Sequence, residues 1–197
     1  SGKSILLETI KDELENRGIR KDHIIYLNFE DLDFDYIVDS SDLNKDIKSR
    51  ITDSEKYYIF LDEIQHVEDF EKALASFRAT LNVSLFVTGS NSALLSGELA
   101  TLLTGRTVEF EILPFSFYEM KLFYELNGRE FSDELFMDYL KWGGFPLRFD
   151  YPEEVSVHKY LSNLYESIVN RDIVGKTKSA DKKAFMDISL YILANAD

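Results

Sequence analysis

The sequence predicts an α/β domain built on a mostly parallel sheet and followed by a helical segment. Three observations predict it. Short apolar runs alternate with stretches of helical periodicity, the order expected of strand–helix–strand units. Two of those runs are apolar on both faces, as central parallel strands are. Beyond Pro114 the strand-like runs stop and only helical patterns remain.

In chain order, Ile5 to Arg17 carries apolar residues at Ile5, Leu6, Ile10 and Leu14, a helical spacing closed by Gly18. Ile24 to Phe29 reads as a strand, and Glu30 to Asp46 as acidic loop with a short helix. Tyr57-Tyr58-Ile59-Phe60-Leu61 is the most continuous apolar run, a central strand. Phe70 to Leu81 is helical, Val83 to Thr88 a further buried strand, and Ser92 to Leu103 a helix. Val108, Phe110 and Ile112 alternate with Glu109 and Glu111, the pattern of a half-exposed strand. Helices follow at Phe117 to Leu126, Ser132 to Trp142, Pro152 to Arg171 and Asp181 to Asn195, with Gly143-Gly144-Phe145-Pro146 separating the second from the third. Aromatic residues at helical spacing from Phe115 to Tyr124 read as core packing. The expected organisation is a core over 1–114, a helical lid-like extension over 115–159, and the start of a further domain over 160–197.

Composition removes several function classes. The 197 residues contain no cysteine, so disulfides and thiolate metal sites are excluded, and a reducing compartment, the cytoplasm, is expected. No run of eighteen apolar residues proposes a membrane span. A net charge of −14 opposes phosphodiester backbones, so nucleic-acid binding is not supported. Asp31, Asp33 and Asp35 have calcium-loop spacing, but Tyr36 stands where such a loop needs glycine and the terminal glutamate is missing. His23, His66 and His158 have no metal-ligand spacing.

The chemistry lies elsewhere. Gly2-Lys3-Ser4, entering a helix at once, matches the second half of the phosphate-loop pattern G-x-x-x-x-G-K-[ST]. In that reading Gly2 and its neighbours present backbone N–H groups to phosphate, Lys3 reaches the outer phosphates, and the Ser4 hydroxyl ligates Mg²⁺. The bland alternative is an ordinary chain terminus. Such a loop follows a buried strand, so the sequence is expected to be a piece of a longer protein. Leu61-Asp62-Glu63 ends the most apolar run in two acids, 58 positions beyond Ser4. Carboxylates at the carboxyl edge of a parallel sheet suit a magnesium site, Asp62, and a general base, Glu63. The alternative is a pair of solvated acids that cap the next helix. Thr88-Gly89-Ser90-Asn91 follows the next strand. Its polar side chains suit an attacking water or a terminal phosphate, or else a helix cap. Arg106 suits a phosphate in the same or a neighbouring subunit, or else an ion pair with one of the many acids.

Together these residues resemble a prokaryotic family of AAA-type P-loop ATPases. They match at Gly2-Lys3-Ser4, Ile59 to Gln65, Thr88-Gly89-Ser90, Leu103 to Arg106, Leu113 to Glu119 and Gly143 to Pro146, six pieces in order over nearly the whole chain. The resemblance implies a three-layer P-loop fold whose first strand is missing from this chain and lies between the fourth and fifth. It implies Asp62 on magnesium, Glu63 as base, Ser90 as the polar sensor and Arg106 near phosphate. It also implies a C-terminal region, winged-helix and restriction-endonuclease-like, whose beginning is the tail from about Tyr160. The expected function is binding of ATP with Mg²⁺ and its hydrolysis, coupled to a conformational change in a partner or attached domain, with self-association open. The alternatives are a nucleotide-binding regulatory module with little turnover, a P-loop kinase, or a scaffold without nucleotide.

Overall fold

The computed structural model describes residues 2–89, 107–130, 132–151 and 153–169, with 187–189, 191–192 and 195 beyond them. They fall into two compact units, residues 1–112 and 113–197. The expected helix over Ser92 to Leu103, and most of that over Asp181 to Asn195, lie outside the described residues.

In the first unit, helix α1 (Gly2–Asn16) precedes β1 (Ile24–Asn28), α2 (Ser40–Arg50), β2 (Tyr57–Asp62), α3 (Phe70–Thr80) and β3 (Val83–Val87). The strands form one parallel sheet in the order β1-β2-β3, with Asn28 opposite Asp62 and Leu61 opposite Val87. Helix α1 ends where expected. Gly18 takes φ +87°, a left-handed turn that glycine enters without a Cβ penalty. Its N–H bonds the Glu15 carbonyl at 2.9 Å and that of Ile19 bonds the Leu14 carbonyl at 3.0 Å, the paired bonds of a Schellman motif.

Strand alternation divides the sheet's two faces. Ile25, Leu27, Tyr57, Ile59 and Leu61 point to one face and pack with Leu43 and Ile47 of α2 and Phe70, Ala73, Leu74 and Phe77 of α3. Phe70, Ala73, Leu74 and Phe77 are a full i, i+3, i+4, i+7 stripe, and burying each large side chain contributes about 1.5–3 kcal/mol. Tyr26, Phe60 and Phe86 stack on the opposite face. There α1 contacts β2, and its Leu7 is buried apart from the α2–α3 core. The result is three layers.

Two sequence expectations are corrected. The acidic stretch after β1 holds a short 3₁₀ turn (Leu32–Phe34) and then a full helix, α2, which runs to Arg50. Asp39 starts α2 by accepting from the N–H groups of Ser41 and Asp42, and Lys48 and Arg50 complement its C-terminal dipole. The alternating segment over 108–113 is not a strand. Val108 and Phe110 are 78% and 76% exposed, and among the described residues no strand lies alongside to bond it. Alternation fixes which side chains would share a face, but a strand needs a partner for its backbone.

The second unit contains α4 (Phe117–Leu126), α5 (Asp133–Trp142), a 3₁₀ turn (Pro146–Asp150) and α6 (Glu154–Val169). Ser116 and Glu119 form a capping box at the head of α4. Phe115, Phe123, Tyr124 and Phe149 gather with ring centroids 5.2–6.2 Å apart, so these members of the aromatic stripe pack together as expected, whereas Tyr118 is exposed. Arg148 is buried beside them, donating to the Gly143 carbonyl at 2.6 Å and to Asp138 at 2.8 Å.

Candidate functional site

Strand β2 is the most completely buried element of the sheet, and it carries Asp62 to the carboxyl edge, where parallel α/β sheets bind ligands. Asp62 is 1% exposed and Glu63 7%. Neighbouring strands pin this corner on both sides. The Phe29 N–H bonds the Asp62 carbonyl at 3.0 Å, and the Ile64 N–H bonds the Thr88 carbonyl at 3.1 Å. At Glu63 the backbone turns left-handed, φ +53°, a conformation that costs a non-glycine residue about 1–3 kcal/mol and that gathers at functional sites.

Both oxygens of the Asp62 carboxylate are engaged. Thr88 donates its hydroxyl to Oδ1, and Tyr26 donates its own to Oδ2 at 3.2 Å. The Thr88 oxygen also accepts the Glu63 N–H at 3.2 Å, so one hydroxyl joins both acidic residues. Gln65 donates its side-chain amide to Glu63 Oε2. Burial, and then the negative charges of Asp62 and Glu8, push the Tyr26 phenol well above its ordinary value. Tyr26 therefore remains a hydrogen-bond donor wherever Asp62 is ionised.

Glu8 brings α1 to the same corner. It lies on α1, its charge reaches Tyr26, and α1 packs against β2. Ser4 is four residues earlier, about 6 Å along the helix axis. Gly2, Lys3 and Ser4 occupy the first turn of α1, a turn without acidic residues. An acid-free first turn with a lysine suits an anion, because its N–H groups have no partners within the helix. Asp62, Glu63 and the helix bearing Gly2, Lys3 and Ser4 thus belong to one unit, in which α1 packs against β2. Ser90 and Arg106 lie outside the described residues.

Nothing in the sequence singles out a role for Tyr26, Gln65 or Glu8, and Thr88 stands there only as part of a polar stretch. Tyr26 is opposite Phe60 in the ladder and reaches Asp62 two residues further along, a diagonal that only the strand register discloses. At the other edge of the sheet, buried His23 meets Asp53 at Nε2, 3.1 Å, and Glu55 at Nδ1, 3.7 Å. The acids face different ring nitrogens and Arg20 lies 3.8 Å from Asp53, so the cluster is already paired internally.

The first unit is thus an α/β fold with a buried acid pair at the carboxyl edge of β2 and a helix that begins Gly2-Lys3-Ser4 packed on the same strand. The chain matches the AAA domain family over residues 1–121 and belongs to it; its fold is that of the P-loop nucleotide hydrolases. Membership points to nucleotide binding and ATPase activity in general. The chain is 38% identical to an uncharacterized protein of Haemophilus influenzae, over 99% of this chain and 49% of that protein. It is 32% identical to an uncharacterized protein of Methanocaldococcus jannaschii, over 89% of this chain and 42% of that protein. It spans about half the length of these curated relatives. No solved structure matches it significantly. Among the described residues, no helix is long and apolar enough to cross a membrane.

Proposed function

We propose that the protein binds ATP with Mg²⁺ in the cytoplasm and hydrolyses the β–γ bond by in-line attack of water, driving a conformational change in a protein partner, a neighbouring copy or an attached domain. One observation carries this reading: the buried pair Asp62–Glu63 ends the central strand on which the Lys3–Ser4 helix packs.

The donor set fits the metal. Asp62 and Ser4 offer only oxygen, the ligand type that hard Mg²⁺ takes, and they stand on β2 and α1, two elements that pack together. When bound, the ion would neutralise charge on the β- and γ-phosphates. Each remaining step falls to the chain. The first-turn N–H groups from Gly2 onward cradle phosphate oxygens, and the Lys3 ammonium meets the outer phosphates as a point charge. Asp62, held by two hydroxyls, would hold the ion together with Ser4. Glu63 takes the proton from the attacking water. Gln65 donates its side-chain amide to Glu63 Oε2 and so fixes the orientation of that carboxylate. Ser90 is proposed to orient the water or terminal phosphate, and Arg106 to stabilise charge on the transferring group, in its own chain or across an interface.

Glu63→Gln removes the base and keeps the shape. Turnover should fall about 10²- to 10⁴-fold while ATP binding persists. Turnover near the unchanged level would overturn the base assignment. ATP binding without measurable turnover in the unchanged protein would instead support the regulatory-module reading.

A further inference from the structure

We propose that Tyr26 is a positioning residue for the cation-binding carboxylate: its hydroxyl and that of Thr88 clamp Asp62 from its two oxygens, fixing one orientation with a lone pair on each oxygen still available. The proposal rests on the ATP–Mg²⁺ reading above.

A buried carboxylate is costly unless hydrogen-bonded, and the described residues supply Asp62 with two side-chain donors. They engage different oxygens, so the carboxylate cannot rotate about its Cβ–Cγ bond without breaking both bonds. An ionised carboxylate has about four acceptor positions, and the two hydroxyls use one on each oxygen. Two positions remain for water molecules in a metal's coordination shell, without displacement of either hydroxyl. The Tyr26 ring is anchored separately, stacked on Phe60 at 6.0 Å between centroids. Its hydroxyl can therefore be deleted while the ring stays packed.

The test measures binding rather than turnover. A fluorescent ATP analogue is titrated with MgCl₂ in the full-length protein and in Tyr26→Phe, Asp62→Asn and the double variant. Tyr26→Phe should raise the Mg²⁺ concentration for half-maximal nucleotide binding about three- to tenfold, the worth of one hydrogen bond. Metal-free nucleotide binding should be unchanged, and in the Asp62→Asn background Tyr26→Phe should have no further effect. Thr88→Val should reproduce the shift and Thr88→Ser should not, a second route that leaves Tyr26 intact. An unchanged Mg²⁺ midpoint in Tyr26→Phe, or an equal shift in both backgrounds, would overturn the role of Tyr26 and leave the ATP–Mg²⁺ reading standing. Nucleotide binding by the unchanged protein that ignores Mg²⁺ would overturn both.

Discussion

Gly144 illustrates how a single residue can be fixed by its neighbour's backbone. A Cβ at this position would stand 1.9 Å from the Phe115 carbonyl oxygen and 2.8 Å from its carbon. The strands of chain cannot separate freely, because the Phe115 N–H bonds the Gly144 carbonyl at 2.8 Å. Gly144→Ala should destabilise the second unit by more than about 3 kcal/mol, read as a lowered denaturant midpoint, with ATP binding to the first unit kept. The sequence disclosed that Gly143-Gly144 interrupts two helices, but not which of the two glycines meets a close backbone. The same limit applies to the site. The position of Asp62 and Glu63 at the end of a buried strand is legible because an apolar run ending in two acids is visible in one dimension. Tyr26 and Gln65 were not, since their importance depends on which atoms the register brings within hydrogen-bond reach.

Among the elements, those with complete local signals were read closely. Helix α4 runs over Phe117–Leu126 as its periodicity predicts, because its start is written in Ser116 and Glu119. Ser116→Ala should cost about 1 kcal/mol of the second unit's stability. Hydrogen bonds from the Ser116 N–H and then its hydroxyl hold the Glu119 carboxyl below its ordinary range. The sign follows: a depressed folded value contributes stability that is present above the unfolded carboxylate value and lost as pH falls through the folded one. The melting temperature of the unchanged protein should therefore decline on acidification through the carboxylate range more than that of Glu119→Gln, and the two profiles should converge in acid. Helix α2 was under-read because only Leu43 and Ile47 form its buried stripe, amid acids that suggest a loop. The segment over 108–113 was over-read for the opposite reason: its alternation is clear, but pairing is a property of two strands, not one.

For the whole molecule, the division into two units makes a single unfolding midpoint a poor description. Under the ATP–Mg²⁺ reading, ligand at 100 times its dissociation constant should stabilise the first unit by about 2.7 kcal/mol. Differential scanning calorimetry of the full-length protein should show one transition moving upward while the transition of the second unit stays in place. Movement of neither would count against nucleotide binding.

Strand β2 also ties Asp62 to an even–odd count. Odd-numbered residues from Tyr57 to Leu61 enter the oily layer under α2 and α3, whereas Asp62 falls on the side shared with α1. Inserting or deleting one residue within this strand would drive a carboxylate into hydrocarbon and turn a leucine toward α1. Evolution can therefore swap one apolar side chain for another along β2, but it cannot change the strand's length by one without turning its buried residues out of the core.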